Sequence, residues 1–248
     1  MESISQFFYR LNEDYGINFP VFYDAWEFWR FVEGIVTTLE LSVICVVMSL
    51  VVGLVGSWLQ GAAFAPIRWL VYAYIQFFRN TPPLAQLYFF YFGLGSIMPR
   101  VVNDMGVPQA MLGNYEWAVI SLTLFAGAFN IEIFRSGIEA VPATTVEAAR
   151  SLGYSRLKSY IHVVFPLAIR ICMPGLTNNL VNLLKTTAIA YAIGVSEVLY
   201  VANQIWAVEF NVPEMMNLVL ITYLIIVSSF VRFTTVVSRR MRVPGFNW

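Results

Sequence analysis

Charged residues are scarce in this chain. They make up 12% of its 248 residues, whereas apolar residues make up 58%. A soluble domain of this length would need far more polar surface, so the composition argues against that class. The 15 Lys and Arg residues balance the 15 Asp and Glu residues. The resulting net charge of zero removes the usual reason to expect a nucleic-acid partner.

Residue types that carry catalysis or bind metals are also few. The chain has one histidine, His162, and two cysteines, Cys45 and Cys172, which both fall inside apolar stretches. We expect these thiols to be small buried apolar groups rather than a disulfide or metal ligands. The sequence contains no G-x-x-x-x-G-K-[ST] phosphate-binding loop. It therefore predicts no catalytic site, no metal site and no cofactor held by this chain.

Long uncharged runs take the place of these groups. Residues 41–67, 80–99 and 215–231 contain no charged side chain. The first run exceeds the roughly 20 residues that cross the hydrocarbon core of a bilayer. The pattern predicts an all-α integral membrane protein with five transmembrane helices. The expected spans are 33–59, 67–97, 115–139, 166–195 and 214–238.

Proline and glycine are expected to interrupt two of these spans. Asn80-Thr81-Pro82-Pro83 lies in the second span, and Pro174-Gly175 with Asn178-Asn179 lies in the fourth. Broken membrane helices are tolerated where neighbouring helices or a water-filled cavity satisfy the freed backbone groups. The breaks are consistent with a protein that lines a pathway, and equally with kinked helices that only pack.

The distribution of Lys and Arg predicts the orientation. Ten of these residues fall on the side of the membrane that holds residue 68, the 135–170 loop and residues 232–248, and three fall on the other side. Since cytoplasmic loops are enriched in Lys and Arg, we expect the N-terminus outside and the C-terminus in the cytoplasm.

Three regions follow from this topology. Residues 1–32 are an aromatic-rich segment expected at the outer interface, and residues 33–240 form the transmembrane domain. That domain includes a cytoplasmic elbow at about residues 142–165. Residues 241–248 are expected to be a cytoplasmic tail.

The elbow has a helical pattern of its own. A short helix is expected from Glu147 to Leu152, a break at Gly153, and a second helix from Ser155 to Val164. Pro166 suits the first turn of the next span, where its missing N–H costs nothing. We expect such an elbow to be presented to a soluble partner.

Residues in the elbow resemble a known motif. Glu147-Ala148-Ala149, Gly153 and Val163-x-Phe165-Pro166 are spaced as in the cytoplasmic EAA loop of ABC-importer permeases, whose pattern ends in Ile-x-Leu-Pro. Residues 78–87 resemble the "FRGTPLLVQL" stretch of polar amino-acid permeases, residues 132–142 their "EIFRGGIESVP", and residues 183–188 their "LLKDTSL". The chain thus resembles the His/Glu/Gln/Arg/opine permease family over most of residues 33–240.

The resemblance implies a fold, a location and a function. It implies the five-helix fold of type I importer permeases in a bacterial inner membrane. The function implied is alternating-access transport of polar amino acids from the periplasm to the cytoplasm. The chain would be a transport subunit rather than an enzyme, with ATP and Mg held by the partner ATPase.

The same resemblance implies the partners. They are a second permease subunit, two cytoplasmic ABC ATPase subunits, a periplasmic amino-acid-binding protein and membrane lipid. Asn80 stands where the family has glycine, and Thr186 where it has aspartate. These departures favour a heterodimer over a homodimer. In such a heterodimer the other permease subunit would hold the substrate site, and this chain would be the degenerate subunit.

Two sets of site residues follow. A glutamate that accepts charged hydrogen bonds, small helix-forming alanines and a glycine turn suit docking onto an ATPase. The expected coupling residues are Glu147, Ala148, Ala149, Leu152, Gly153 and Pro166. Polar side chains within the spans could bind an amino-acid substrate, or could equally join helices by hydrogen bonds. These are Gln86, Asn130, Asn178, Asn179, Asn182 and Lys185.

Lys185 is expected to have an anionic or multiply hydrogen-bonding partner, because a lone ammonium in a membrane is costly. Thr186 replaces its usual neighbouring aspartate, so the partner must lie on another helix, on another subunit or on the substrate. We favour a structural partner.

Two other functional classes compete with this hypothesis. An ion-driven secondary transporter is disfavoured because five spans give no inverted repeat and no embedded acidic pair stands out. A membrane enzyme or scaffold is disfavoured by the lack of a catalytic constellation and by the complete elbow motif.

Overall fold

The structure is a computed structural model that describes residues 2–102 and 106–240. Most of these residues are helical. The first part consists of α1 (Glu2–Tyr15), a 3-10 turn (Pro20–Phe22), α2 (Ala25–Gln60), α3 (Ala65–Asn80) and α4 (Pro83–Tyr88). A π-helical stretch (Phe89–Leu94) then leads into α5 (Gly95–Ile97).

The second part begins with a small antiparallel hairpin of β1 (Arg100–Val102) and β2 (Pro108–Ala110), which the sequence analysis did not predict. Helices follow to residue 240. They are α6 (Asn114–Glu139), α7 (Ala143–Ser151), α8 (Arg156–Ser159), a π-helical turn (Tyr160–Val164), α9 (Phe165–Thr186), a 3-10 stretch (Thr187–Ile193), α10 (Val198–Glu209) and α11 (Val212–Arg240). The expected tail at 241–248 lies outside the described residues.

Four helical stretches are long and apolar enough, by length and composition, to cross a membrane. They are Ala25–Gln60, Asn114–Glu139, Arg156–Ile193 and Val212–Arg240. These stretches contain the expected first, third and fifth spans, and they contain the expected fourth span except for its last two residues. The first begins at Ala25, so the expected boundary between residues 32 and 33 falls inside α2.

The expected second span, 67–97, is interrupted as predicted. Thr81 is extended, with φ −115° and ψ 143°, because the proline that follows it disfavours helical geometry. The Asn80 amide donates to the carbonyl of Gln76 at 2.7 Å, and the Thr81 hydroxyl donates to that of Phe77 at 2.8 Å. These bonds satisfy carbonyls that the end of α3 leaves open.

The predicted interruption of the fourth span is wrong. Pro174 lies inside α9, and the helix continues through it and through Gly175. Pro166 does not begin a new helix either, because α8, the π-helical turn and α9 form one continuous helix. A π turn shifts the backbone hydrogen-bond pattern by one residue. The turn at Tyr160–Val164 therefore allows the helix to continue past a residue that cannot donate.

The chain divides into two compact units, and the boundaries run through five helices. The first unit comprises the segment up to Ile44, Leu84–Ser121 and Leu184–Ser228. Its apolar core joins α10 to the first turns of α2 and α11 through Phe31, Val198, Ile205 and Met215. The N-terminal segment packs onto the same unit, where the Asn18 N–H lies 3.4 Å from the Glu214 carboxylate.

The second unit comprises Cys45–Pro83, Leu122–Leu183 and the segment from Ser229. Its cores pack α2 and α3 against α6, and α6 against α9. Gly53 permits this packing, since a Cβ there would lie 2.5 Å from the Cβ of Asn130 and 3.0 Å from the Phe134 ring. Any larger residue at position 53 would push α2 away from α6.

Candidate functional site

The elbow is a helix, a tight turn and a second helix, as predicted, although α7 begins four residues earlier than expected. α7 ends in a Schellman-type turn. The N–H of Gly153 donates to the carbonyl of Arg150 at 2.9 Å, and the N–H of Tyr154 donates to that of Ala149 at 3.2 Å. Gly153 has φ +85°, a value that a side chain penalises, and no other atom lies near its missing Cβ. Glycine is therefore required by the backbone, not by crowding.

A serine caps the second helix of the elbow. The Ser155 hydroxyl accepts the backbone N–H of Lys158 at 3.3 Å and satisfies one donor of the first turn of α8. Only two residues, Leu152 and Tyr154, flank Gly153 between the end of α7 and this cap. The two helices of the elbow are thus joined with little freedom.

Several large apolar side chains are exposed on the outer surface of the elbow. Leu152 is 80% exposed, Leu157 68% and Ile161 50%. Glu147 and Ala148 are also exposed, and none of the ion pairs among the described residues involves the Glu147 carboxylate. Exposed apolar side chains beside an unpaired carboxylate are typical of a surface that a partner covers.

Two of the predicted coupling residues face inward instead. Ala149 is 6% exposed, and Pro166 is half-buried. Next to them, Val141, Val164 and Ala168 form the core that fixes the elbow to the start of α9. Ala149 and Pro166 are therefore placed to hold the shape of the elbow rather than to touch a partner.

Two of the predicted pathway residues bind each other. The Asn179 side chain donates to the Asn130 carbonyl oxygen at 2.8 Å and to the Ala126 backbone carbonyl at 3.1 Å. The Asn130 amide in turn lies 3.3 Å from the Ser49 hydroxyl. All three side chains are buried. The network joins α2, α6 and α9, which matches the structural alternative for these two amides.

The remaining pathway residues are not brought to this network. Asn178 and Asn182 lie one turn apart on an exposed face of α9, and exposed Lys185 follows in its last turn. No described carboxylate pairs with the Lys185 ammonium. Gln86, on α4, is buried and belongs to the first unit.

Sequence reasoning missed Glu197, whose carboxylate is completely buried. It caps the N-terminus of α10 by accepting the N–H groups of Leu199 and Tyr200, and it accepts the Tyr223 hydroxyl at 2.8 Å. Burial raises the pKa of this carboxyl, while the three hydrogen bonds lower it by less. The signal available in the sequence was that Glu197 is the one charged residue between positions 186 and 208.

An ion pair joins α3 to α6. The Arg79 guanidinium lies 3.1 Å from the Glu132 carboxylate and 5.4 Å from the centre of the Phe129 ring. Arg135 lies three residues after Glu132 and four before Glu139, so helix spacing alone predicts that it can pair with both on one helix face. The pair with Glu139 is confirmed at 2.8 Å, but Glu132 binds Arg79 instead.

The family model for the binding-protein-dependent transport system inner membrane component matches residues 53–243 of this chain. The chain belongs to this family. Its match covers α3, α6, the elbow and all of α9, α10 and α11. The expected family resemblance is thereby confirmed, and the protein is a multi-pass component of an inner membrane.

Curated relatives are amino-acid permeases. The probable glutamine ABC transporter permease protein GlnM of Bacillus subtilis is 30% identical over 210 residues, which are 85% of this chain and 91% of GlnM. The arginine transport system permease protein ArtQ of the same organism is 29% identical over 85% of this chain and 91% of ArtQ. The histidine/lysine/arginine/ornithine permease protein HisQ of Escherichia coli is 30% identical over 67% of this chain and 73% of HisQ.

Solved structures share the fold. A crystal structure of an amino acid ABC transporter with histidines superposes with a TM-score of 0.74, at 28% identity over 85% of this chain and 94% of the other. An inward-facing MetNI methionine ABC transporter gives 0.69 at 21% identity, over 87% and 98%. The predicted type I importer permease fold is therefore confirmed. The secondary-transporter alternative receives no support.

Permease subunits of ABC importers work with ATPase and substrate-binding partners. The chain is thus a transport subunit of a larger assembly, as predicted.

Proposed function

We propose that this chain is the permease subunit of an ATP-driven importer that carries polar amino acids from the periplasm into the cytoplasm by alternating access. The family match and the amino-acid permeases among the relatives support the transport class. The elbow supports the coupling, because it presents an unpaired carboxylate and exposed apolar side chains on a rigid helix–turn–helix. This elbow is the observation that carries the proposal.

The coupling step is assigned to residues on the outer surface of the elbow. Glu147 would accept hydrogen bonds from a cation or backbone amides of the ATPase, and Ala148 and Leu152 would pack against its surface. Gly153, Ala149 and Pro166 would act indirectly by fixing the turn and the direction of α9. ATP and Mg would be held and consumed entirely on the ATPase.

The substrate pathway is assigned to the exposed face of α9 rather than to the buried amides. Asn130 and Asn179 already use their hydrogen-bonding groups on each other. Asn178 and Asn182 present amides on a membrane helix, where polar groups are costly unless they face a partner or water. Their pathway role explains why this face is polar. Gln86, which is buried, is assigned to helix packing.

A second permease subunit would cover part of the exposed surface of this protomer. We favour a different chain over a second copy, because Asn80 and Thr186 depart from the family pattern. Lys185 then meets an acidic or hydrogen-bonding group of that subunit. The elbow and the C-terminus face the cytoplasm, and residues 1–32 lie at the outer interface, where a periplasmic binding protein delivers the amino acid.

The test of this function is co-purification with the cognate ATPase, followed by uptake in proteoliposomes that contain the binding protein. The Glu147→Lys variant reverses the charge of the elbow, and Glu13→Lys makes the same change on exposed α1. We expect Glu147→Lys to lose the ATPase and ATP-dependent uptake of amino acids, while Glu13→Lys keeps the ATPase. Full ATPase binding and uptake by Glu147→Lys would overturn the coupling assignment.

A further inference from the structure

Three adjoining cavities lie where the end of α2 meets α6 and the elbow. The largest has a volume of about 670 Å³, and apolar side chains form most of its wall, among them Trp58, Val146 and Val164. Two arginines, Arg150 from α7 and Arg156 from α8, line the same cavity. The cavity therefore combines an apolar wall with two positive charges.

A second cavity, of about 190 Å³, continues the first. The two share Trp58, Ile138 and Tyr160, and the smaller one adds Leu54 and Phe134, each four residues from Trp58 or Ile138 on the side away from the elbow. The start of α9 closes it with further apolar side chains. An apolar slot thus runs along α2 and α6 from the arginines into the membrane-spanning part of the chain.

The two arginines at the wide end form no ion pair with a carboxylate in the described part of the chain. Both are exposed. The Ser159 hydroxyl, which also lines the large cavity, is buried without a hydrogen-bond partner. A buried hydroxyl without a partner is costly unless a ligand or water satisfies it.

Exposed aromatic side chains around the large cavity indicate that it lies at the surface of the membrane. Trp58 is 69% exposed, and Phe64 and Trp69, on the other side of the α2–α3 turn, are 63% and 70% exposed. Exposed aromatic side chains beside cationic residues are typical of the boundary between lipid headgroups and acyl chains. The arginines thus lie on the headgroup side, and Leu54 and Phe134 lie on the acyl side.

We propose that these cavities bind one anionic glycerophospholipid from the cytoplasmic leaflet. Its phosphate pairs with Arg150 and Arg156, which match phosphate geometry through their paired N–H groups. One of its two acyl chains enters the apolar slot between α2 and α6. The order of charge and apolar surface along the cavities favours a lipid over a soluble anion, which would leave the slot empty.

Such a lipid would connect the elbow to α2 and α6 at the point where the permease meets its ATPase. Anionic lipid would then support coupling by holding the elbow in position, independently of which amino acid is carried. The proposal depends on the family-wide membrane location and not on the substrate.

The test is native mass spectrometry of the purified full chain titrated with phosphatidylglycerol, and separately with phosphatidylcholine of the same acyl chains. The first variant carries Arg150→Gln and Arg156→Gln. The matched control carries Arg239→Gln and Arg240→Gln, which remove the same charge at the exposed end of α11. We expect the first variant to bind one phosphatidylglycerol about thirtyfold more weakly than wild type, and the control to bind it like wild type.

A third variant addresses the slot. Ser57 lines all three cavities, and its hydroxyl bonds only to the backbone carbonyl of Leu54 among the described residues. Ser57→Leu keeps both arginines and fills the slot, so the binding of phosphatidylglycerol and any binding of phosphatidylcholine should weaken together. Unchanged phosphatidylglycerol binding in the double Arg150/Arg156 variant, or an equal loss in the control, would overturn the proposal. Unchanged lipid binding with lost ATPase co-purification would show that the arginines belong to the ATPase docking surface instead.

Discussion

Asn179 donates its side-chain N–H to the Asn130 oxygen at 2.8 Å in the interior of the second unit. The Ser49 hydroxyl lies 3.3 Å from the other end of the Asn130 amide. The hydrogen bond joins α6 to α9, and Gly53 brings α2 close enough to complete the network. Asn182, three residues farther along α9, is exposed. The two asparagines are chemically identical, but one is used for packing and the other is the one assigned to the substrate pathway.

The difference between Asn179 and Asn182 predicts that substitution by alanine has different effects at the two positions. Asn179→Ala should lower the thermal unfolding midpoint, since it removes two buried interhelical hydrogen bonds, each worth on the order of 1 kcal/mol. It should leave the KM for uptake nearly unchanged. Asn182→Ala should raise that KM and lower the midpoint by less than Asn179→Ala does, because Asn182 is exposed. Thermal unfolding in detergent and uptake kinetics in proteoliposomes measure the two quantities, and a raised KM for Asn179→Ala would assign that amide to the substrate instead.

The turn of the elbow predicts a dependence on backbone conformation rather than on size. Gly153→Val should reduce ATP-dependent uptake severely, because φ +85° strains a β-branched residue by roughly 1–2 kcal/mol. Gly153→Asn should retain most of the uptake, since asparagine adopts left-handed backbone more readily. Equal expression of the two variants in membranes is the control. Equal uptake by both would show that the turn does not carry coupling.

Lys185 predicts an effect on assembly. If its partner lies on the second permease subunit, Lys185→Met should lower the yield of assembled complex, and Lys185→Arg should restore much of it. The apparent substrate affinity of the surviving complexes should not change. Size-exclusion chromatography and uptake kinetics measure these outcomes. Normal assembly with lost substrate-stimulated ATPase activity would place the partner on the substrate.

We expect substitution of Glu197 to reduce the free energy of unfolding, because this residue has a structural role. Glu197→Ala removes the acceptor for two backbone N–H groups and for the Tyr223 hydroxyl, all in a buried site. We expect a loss of about 3 kcal/mol of unfolding free energy, against about 1 kcal/mol for Tyr223→Phe, because Glu197→Ala leaves more buried donors unsatisfied. Chemical denaturation of both variants gives the comparison. A smaller loss for Glu197→Ala than for Tyr223→Phe would contradict this account.

The orientation predicts a labelling pattern. Single cysteines replace Asp14 and Ser155, both exposed, in a background that lacks Cys45 and Cys172. A membrane-impermeant thiol reagent added to intact cells should label position 14 and not position 155, and both should react after the membrane is opened. The opposite pattern would falsify the proposed topology.

The features that the sequence predicted are those with local causes. Gly153 sets its turn through its own backbone, Thr81 is extended because proline follows it, and Arg135 reaches Glu139 along one helix face. Long apolar runs likewise identify four of the five expected membrane helices without any tertiary contact.

The features that the sequence did not predict depend on neighbours far away in the chain. Pro174 does not interrupt α9, because surrounding helices hold a helix that its local pattern would break. Glu132 binds Arg79, 53 residues away, instead of Arg135. Glu197 was overlooked because its role as a cap appears only when α10 and Tyr223 are in place.

The continuity of the helix through Pro166 has a mechanical meaning. From Arg156 in the elbow to Asn182 the chain is one rod about 39 Å long, at 1.5 Å per residue. A tilt of about 10° at the elbow would move the level of Asn182 sideways by about 7 Å, more than the width of a water molecule. A hinge at Pro166 would absorb that tilt close to its source. The unbroken rod would instead act as a lever, so a small rotation imposed at the elbow would become a large sideways displacement of the polar face of α9.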